Sequence, residues 1–272
     1  MIMERREDFR IDLEKIIANK TGKKMPRFVV KFLKRLIHED FLNEYITRGD
    51  EGVAFCTGTL KYLGITMQVE GLENVPKDGT LYTFASNHPL GGIDGVAMGS
   101  IIGERFDGKV RYLVNDLLMN LKGLAPLCVP INKIGKQART FPAVIEGTFA
   151  SDCHIIMFPA GLCSRKQSDG TIRDIPWNKA FIVKSVQHER DIVPIYFDGQ
   201  NSKRFYNVAR WCKWLHLPNF AMMLLPDEMY KCKGKHFTVH IGKPIPWQTF
   251  DKSKKPGEWG RWVQDRVYEI KD

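Results

Sequence analysis

Residues 81–103 read LYTFASNHPLGGIDGVAMGSIIG, and the fold is legible outward from this stretch. The apolar run Leu81–Ala85 is a strand candidate. A Ser-Asn-His-Pro-Leu-Gly-Gly turn follows it directly, and a helical pattern begins at the Asp and reaches residue 103. Strand, tight turn and helix in succession open an α/β unit. The alternation recurs along the chain. Further strand candidates are Ile65–Val69, Val110–Val114, Leu127–Ile131, His154–Phe158, Ile192–Phe197 and Phe237–Ile241. Helical patterns lie at 115–121, 136–150, 177–188, 203–215 and 258–270. The pattern predicts an α/β domain over 51–272, built on a mixed, mostly parallel sheet flanked by helices.

Residues 1–50 read differently. Phe9, Leu13, Ile16 and Ile17 recur at helical spacing over 7–19. After a break at Thr21-Gly22, a second helix is expected from Pro26 to about Tyr45, with Phe28, Val29, Phe32, Leu33, Leu36 and Ile37 on its apolar side. Eight basic residues and no acid lie between Lys15 and Arg35. This N-terminal segment is therefore expected to be an amphipathic helical appendix that docks on an anionic membrane surface.

Composition narrows the function classes. The 272 residues are 43% hydrophobic and 26% charged, with a net charge of +10. Disordered, collagenous and coiled-coil chains are excluded. The basic excess fits an acidic partner: nucleic acid, an anionic bilayer, or an acidic carrier or substrate. Basic residues beside apolar helix faces favour the bilayer, and no nucleic-acid motif is present. The six cysteines, with no C-x-x-C, suit free thiols in a reducing cytosol. The charged N-terminus does not read as a signal peptide, and no window is apolar enough to span a membrane.

The chemistry concentrates after the strands, where α/β sheets bind ligands. His88 and Asp94 straddle the glycine turn. A neutral His is a good base near neutral pH, and a carboxylate on its other ring nitrogen sets its tautomer. The competing reading is a turn with Asp94 as a helix-capping carboxylate. A second segment, Phe158-Pro159-Ala160-Gly161-Leu162-Cys163-Ser164-Arg165, also follows a strand candidate; Gly161 permits close backbone approach, and Arg165 suits a phosphate or carboxylate. Lys133 and Arg139, after the strand candidate ending at 131, are further possible anion ligands. Val193-Pro194-Ile195 lies in a later strand.

Taken in order, these four blocks resemble the glycerolipid acyltransferase superfamily of lysophosphatidate acyltransferases and relatives, over roughly residues 60–200. That family carries Asn-His-x4-Asp, an anion-binding block with Arg, Phe-Pro-Glu-Gly and a late Val-Pro block. Here five residues separate His88 from Asp94, Ala160 stands in the place of the Glu, and Lys133 lies in the region of the Arg. The pattern is similar to the divergent hemolysin-like branch that O-acylates lyso-amino-acid lipids of the ornithine or glycine type. The Glu's role in acceptor binding is not carried onto Ala160.

The resemblance implies that His88 is the general base and that Asp94 orients it and balances its charge. Backbone N–H groups near Gly161 would stabilise the oxyanion. Asn87, Phe158, Pro159, Gly161 and Ser164 would line the substrate, and Arg165 with Lys133 or Arg139 would hold an anionic head group. The implied reaction moves an acyl group from acyl-carrier protein or coenzyme A to a lyso-lipid hydroxyl at the cytoplasmic face of the cell membrane. It uses no metal or other cofactor. The alternatives are a 1-acylglycerol-3-phosphate acyltransferase and a lipid-binding protein without catalysis.

Other signals are set aside. Residues 103–110 match the Gly and Lys of a phosphate-binding loop, but Val110 stands where Ser or Thr must bind magnesium. Cys212/His216 and Cys232/His236 form two Cys-x3-His pairs, a spacing unlike that of structural zinc. The apolar segment Arg210–Leu225 is read as core, acyl-tunnel cover or lipid contact.

Overall fold

The computed structural model describes residues 5–22, 25–114, 116–130 and 141–271. In chain order the helices are α1 (Leu13–Thr21), α2 (Arg27–Leu36), α3 (Glu39–Ile46), α4 (Gly52–Tyr62), α5 (Ile93–Arg105), α6 (Phe141–Phe149), α7 (Ala180–Gln187), α8 (Lys203–Trp214), α9 (Leu225–Tyr230) and α10 (Pro256–Glu269). The strands are β1 (Thr66–Glu70), β2 (Tyr82–Ser86), β3 (Val110–Val114), β4 (Cys128–Pro130), β5 (His154–Met157), β6 (Arg165–Lys166), β7 (Ile172–Arg173), β8 (Asp191–Asp198) and β9 (His236–Ile241). Every sequence-predicted strand forms, with ends shifted by at most one residue among the described residues; residue 131, the expected end of β4, lies outside them.

Seven strands make one sheet in the order β1-β9-β8-β2-β5-β3-β4. Neighbours are parallel except β8 and β9, so β1 and β9 run against the other five. β6 and β7 form a separate antiparallel hairpin. β2 is central and all five of its residues are buried, as expected of a parallel strand covered on both faces. Its pleat divides the core. Tyr82 and Phe84 join Ile93, Met98 and Ile102 of α5 and Cys56 and Leu60 of α4. Ala85 faces Phe181 and Ile182 of α7 and Val263 and Val267 of α10. Thr83, on that second face, accepts a hydrogen bond from Ser185 Oγ at 2.8 Å.

Several helices depart from expectation for physical reasons. The helix expected over 26–45 is two helices. The chain turns at His38, whose backbone is left-handed (φ 52°). Its ring stacks on Tyr230 at 3.9 Å, and Nε2 lies 3.0 Å from Asp227 Oδ1, so α9 holds the break open. The helix expected at 115–121 is a 3-10 helix, Asp116–Asn120. The pattern at 136–150 appears as α6, with 136–140 outside the described residues. α4 was not expected: Gly52, Val53, Thr57, Gly58 and Thr59 give it poor intrinsic propensity. Its packing on α5 compensates. A Cβ on Gly99 would sit 2.6 Å from Cys56 Sγ, and one on Gly103 would sit 2.6 Å from Val53 Cγ2, so these glycines let the two helices approach closely.

Residues on either side of position 50 share a cluster, in which Phe9, Tyr45 and Ile46 pack with Phe55. On α2, Val30 and Leu33 are buried, whereas Phe28 and Phe32 are 76% and 61% exposed. The expected apolar face is therefore split: one edge packs on the protein and the other faces outward. Among the described residues, no helix is long and apolar enough to cross a membrane.

Arg190 follows α7 and is fully buried. It donates to the carbonyls of Phe149 (2.8 Å), Cys153 (2.8 Å) and Ser151 (2.6 Å), tying the end of α6 to the entry of β5. Burial pulls its pKa down to about 10, so it remains charged at neutral pH. Arg190→Met leaves these acceptors buried without donors, at a cost of roughly 3 kcal/mol or more. Urea denaturation should show a clearly lower midpoint; an unchanged midpoint would contradict this role.

Candidate active site

The loop Asn87–Gly92 leaves the carboxyl end of β2 and enters α5. Asp94, in the first turn of α5, is fully buried. Its Oδ2 accepts from the backbone N–H groups of Leu90 (2.9 Å) and Gly91 (3.1 Å), and Oδ1 accepts from that of Gly95 (2.9 Å). His88 Nδ1 lies 3.0 Å from Oδ2. The approach is bent, and Nδ1 has no better-aligned partner.

The loop closes around Asp94 because Gly91 adopts φ 75°, a conformation that favours glycine. A Cβ there would also stand 2.2 Å from Cys163 Sγ and 3.0 Å from Leu225. Asn87 pins the loop at its start. Its Nδ2 donates to the Phe197 carbonyl at 3.0 Å and its Oδ1 accepts from the Phe197 N–H at 2.7 Å, so its amide is spent on β8.

The segment after β5 forms the facing wall. Phe158 stacks on the His88 ring with centroids 4.1 Å apart. The N–H of Ser164 donates to the His88 carbonyl at 2.8 Å. Pro159 is buried, and its carbonyl accepts from Asn178 N–H at 3.2 Å. The Gly161 N–H donates to the Phe158 carbonyl at 2.9 Å, so this amide is already committed to a turn. Arg165 Nη1 donates to the carbonyls of Cys163 (2.6 Å) and Ser164 (3.2 Å), and its guanidinium lies 5.5 Å from the Phe205 ring centre. Lys133 and Arg139 lie outside the described residues.

A second buried carboxylate was not singled out in the sequence. Asp174 accepts from the His88 N–H (3.3 Å), Ser164 Oγ (2.6 Å) and Trp177 Nε1 (2.9 Å). It thus holds the backbone of His88 and the 164 turn together. Its one sequence signal is an acid set in the apolar run Ile172-Arg173-Asp174-Ile175-Pro176-Trp177.

Electrostatics prepare His88 to receive a proton. Burial opposes its charge, but Asp94, through charge and contact, and Asp174 outweigh burial and the opposing Arg165, and the pKa is raised. Burial likewise opposes ionisation of Asp94. The His88 charge and the Leu90 and Gly91 N–H groups prevail, and its pKa is lowered. Asp174 goes the other way: burial lifts its carboxyl despite its hydrogen bonds. The Cys163 thiol is pushed up to about 12 by burial, so it stays protonated and is a poor nucleophile. With Nδ1–H directed at Asp94, Nε2 keeps a lone pair and can take a proton from a hydroxyl.

A family model described as Acyltransferase matches residues 12–272. The chain belongs to this acyltransferase family. The lyso-glycine lipid O-acyltransferase of Bacteroides thetaiotaomicron is 55% identical over 268 residues, covering 96% of this chain and 98% of that protein. The protein of the same name from Phocaeicola vulgatus is 54% identical over 268 residues, covering 96% and 95%. A solved structure, the 1-acyl-sn-glycerophosphate acyltransferase PlsC of Thermotoga maritima, superposes with a TM-score of 0.47 at 16% identity, over 94% of this chain and 88% of that one.

In this acyltransferase two of the four expected blocks meet at one place: His88, Asp94, Phe158, Ser164 and Arg165 share the carboxyl end of β2 and β5, while Val193-Pro194-Ile195 lies within β8. Cys212/His216 and Cys232/His236 do not assemble into a site, and no group of three or more potential metal ligands occurs among the described residues. The two glycines of the site separate its constraints. Gly91→Ala meets both positive φ and the Cys163 sulfur, whereas Gly161 (φ 67°) has open space at its Cβ. Gly161→Ala should cost only the left-handed penalty of roughly 1–2 kcal/mol, and Gly91→Ala clearly more. Paired thermal melts check this; equal melting points would contradict the close packing at Gly91.

Proposed function

We propose that this acyltransferase transfers a fatty acyl group from an acyl thioester to the free hydroxyl of a lyso-glycine lipid. The observation that carries the acceptor is the identity of 54–55% to two lyso-glycine lipid O-acyltransferases across 96% of the chain. The donor is acyl-carrier protein or coenzyme A; the net charge of +10 suits an acidic carrier or the phosphates of the coenzyme. The reaction needs no metal and no covalent enzyme intermediate.

His88 Nε2 takes the proton of the acceptor hydroxyl as its oxygen attacks the thioester carbonyl. Asp94 stabilises the imidazolium that forms. The tetrahedral intermediate collapses, the C–S bond breaks, and the imidazolium returns the proton to the leaving thiolate. The 158–164 segment lies against His88, and its Gly161 N–H would serve an oxyanion only on leaving the Phe158 carbonyl. Arg165 receives the anionic head group, with Lys133 and Arg139 as further candidates. Residues 1–50 dock the enzyme on the cytoplasmic face of the membrane through the exposed Phe28 and Phe32 and their basic neighbours.

His88→Ala should reduce acyl transfer by ~10²–10⁴. A variant keeping more than about a tenth of the wild-type rate would remove His88 as the base. Arg165→Ala should raise KM for the lyso-lipid roughly tenfold or more with a smaller change in kcat, because a charge-assisted hydrogen bond is worth ~1.5–3 kcal/mol; an unchanged KM in a folded variant would return Arg165 to a structural role. Mass spectrometry of lipids from a strain lacking the gene tests the acceptor: accumulation of lyso-glycine lipid is expected, and accumulation of a different lyso-lipid would replace it.

A further inference from the structure

We propose that residues 211–223, the end of α8 and the 3-10 turn that follows, form a second lipid-inserting surface that seats the active site against an anionic bilayer. This rests on the reading that the acceptor is a membrane lipid.

Trp211, Trp214, Leu215, Leu217, Phe220, Met222 and Met223 are all exposed within these thirteen residues, Trp214 to 75%. Single exposed apolar residues are ordinary, but a concentration of this kind marks an interaction surface. Trp211, Trp214 and Leu215 fall on one side of α8 by their spacing of three and four. The opposite side is spent on the protein: Phe205, Tyr206, Ala209 and Cys212 are buried.

Charge identifies what covers the surface. No Asp or Glu occurs from Gly199 to Pro226, while Lys203, Arg204, Arg210 and Lys213 do. Large apolar side chains with two tryptophans, bordered by Lys203, Arg210 and Lys213 while Arg204 pairs with Asp227 at 3.4 Å, match the layered chemistry of a bilayer surface: hydrocarbon below, an aromatic-preferring interface, anionic head groups above.

The surface is firmly seated beside the chemistry. Ala221 and Leu224 pack with Phe205, Tyr206, Ala209 and Cys163 in one buried cluster. Cys163 precedes Ser164, whose N–H holds the His88 carbonyl. Leu36 of α2 joins the same cluster, so the exposed edge of α2 and this segment are braced by one set of side chains. A bilayer engaged by both delivers a lipid hydroxyl to His88 without extracting the lipid into water.

The test uses the full chain and the triple variant Trp214→Ser/Leu217→Ser/Phe220→Ser. Flotation on phosphatidylcholine vesicles, with and without phosphatidylglycerol, should show at least a tenfold weaker vesicle affinity for the variant. Its melting point and its activity on a short-chain acceptor dispersed as monomers should be unchanged. If the variant fails to fold, brominated phosphatidylcholine gives the second readout: it should quench wild-type tryptophan emission, and Trp211→Phe/Trp214→Phe should lose most of that quenching. Unchanged flotation of a folded triple variant, or equal quenching in the two proteins, overturns the proposal. So does a fall in oligomeric state with flotation intact, which would make the surface an interface between copies. Absence of wild-type activity on the monomeric acceptor would count against the acceptor reading instead, and leaves the vesicle readouts valid.

Discussion

A single buried carboxylate organises the site. Asp94 is removed from water; its two oxygens accept from three backbone N–H groups, and His88 Nδ1 lies 3.0 Å from Oδ2. An ionised carboxylate in such a place is tolerable only when fully partnered. All four contacts come from the loop that carries His88 and from α5 itself, so the loop cannot relax without stranding the charge. The position of Asp94 in the first turn of a helix, where the peptide dipoles favour an anion, adds to the same end. Gly91 supplies the backbone shape, and Cys163 and Leu225 leave no room for a side chain there.

The surroundings of this loop are arranged around His88. Phe158 covers its ring, Ser164 holds its carbonyl, and Asp174 holds its N–H. β2 and β5 are adjacent and parallel, so the loop after one and the turn after the other meet without long connections, where α/β sheets place their ligands. The result is an imidazole whose proton affinity is raised by two acidic groups, against burial and the nearby Arg165.

Much of this was legible in the sequence because strands of a covered sheet are short apolar runs and because His88, Asp94 and the 158–165 block follow such runs directly. The pieces that escaped notice depend on contacts between distant segments. Asp174 acts across 86 positions on the N–H of His88, and no local pattern announces that. α4 has weak propensity and is a helix because Gly99 and Gly103 of α5 give it a surface to pack on. The break at His38 is enforced by Tyr230 and Asp227, far along the chain. Asn87, read as a substrate residue, spends its amide on the backbone of Phe197, a partner that only the strand order reveals.

The central claim is that His88 works as a base whose proton affinity is lifted by Asp94. The most direct measurement is the pH dependence of kcat/KM for wild type and for Asp94→Asn. The base must be neutral to act, so the rate falls as pH drops through the His88 pKa. In the wild type, burial is outweighed by the Asp94 charge, and the acid limb should lie above the ordinary histidine value of about 6.5. In Asp94→Asn that support is gone while burial remains; the limb should move to lower pH and the plateau should fall. An acid limb unmoved by the substitution, or a wild-type profile flat across the histidine range, would contradict the account.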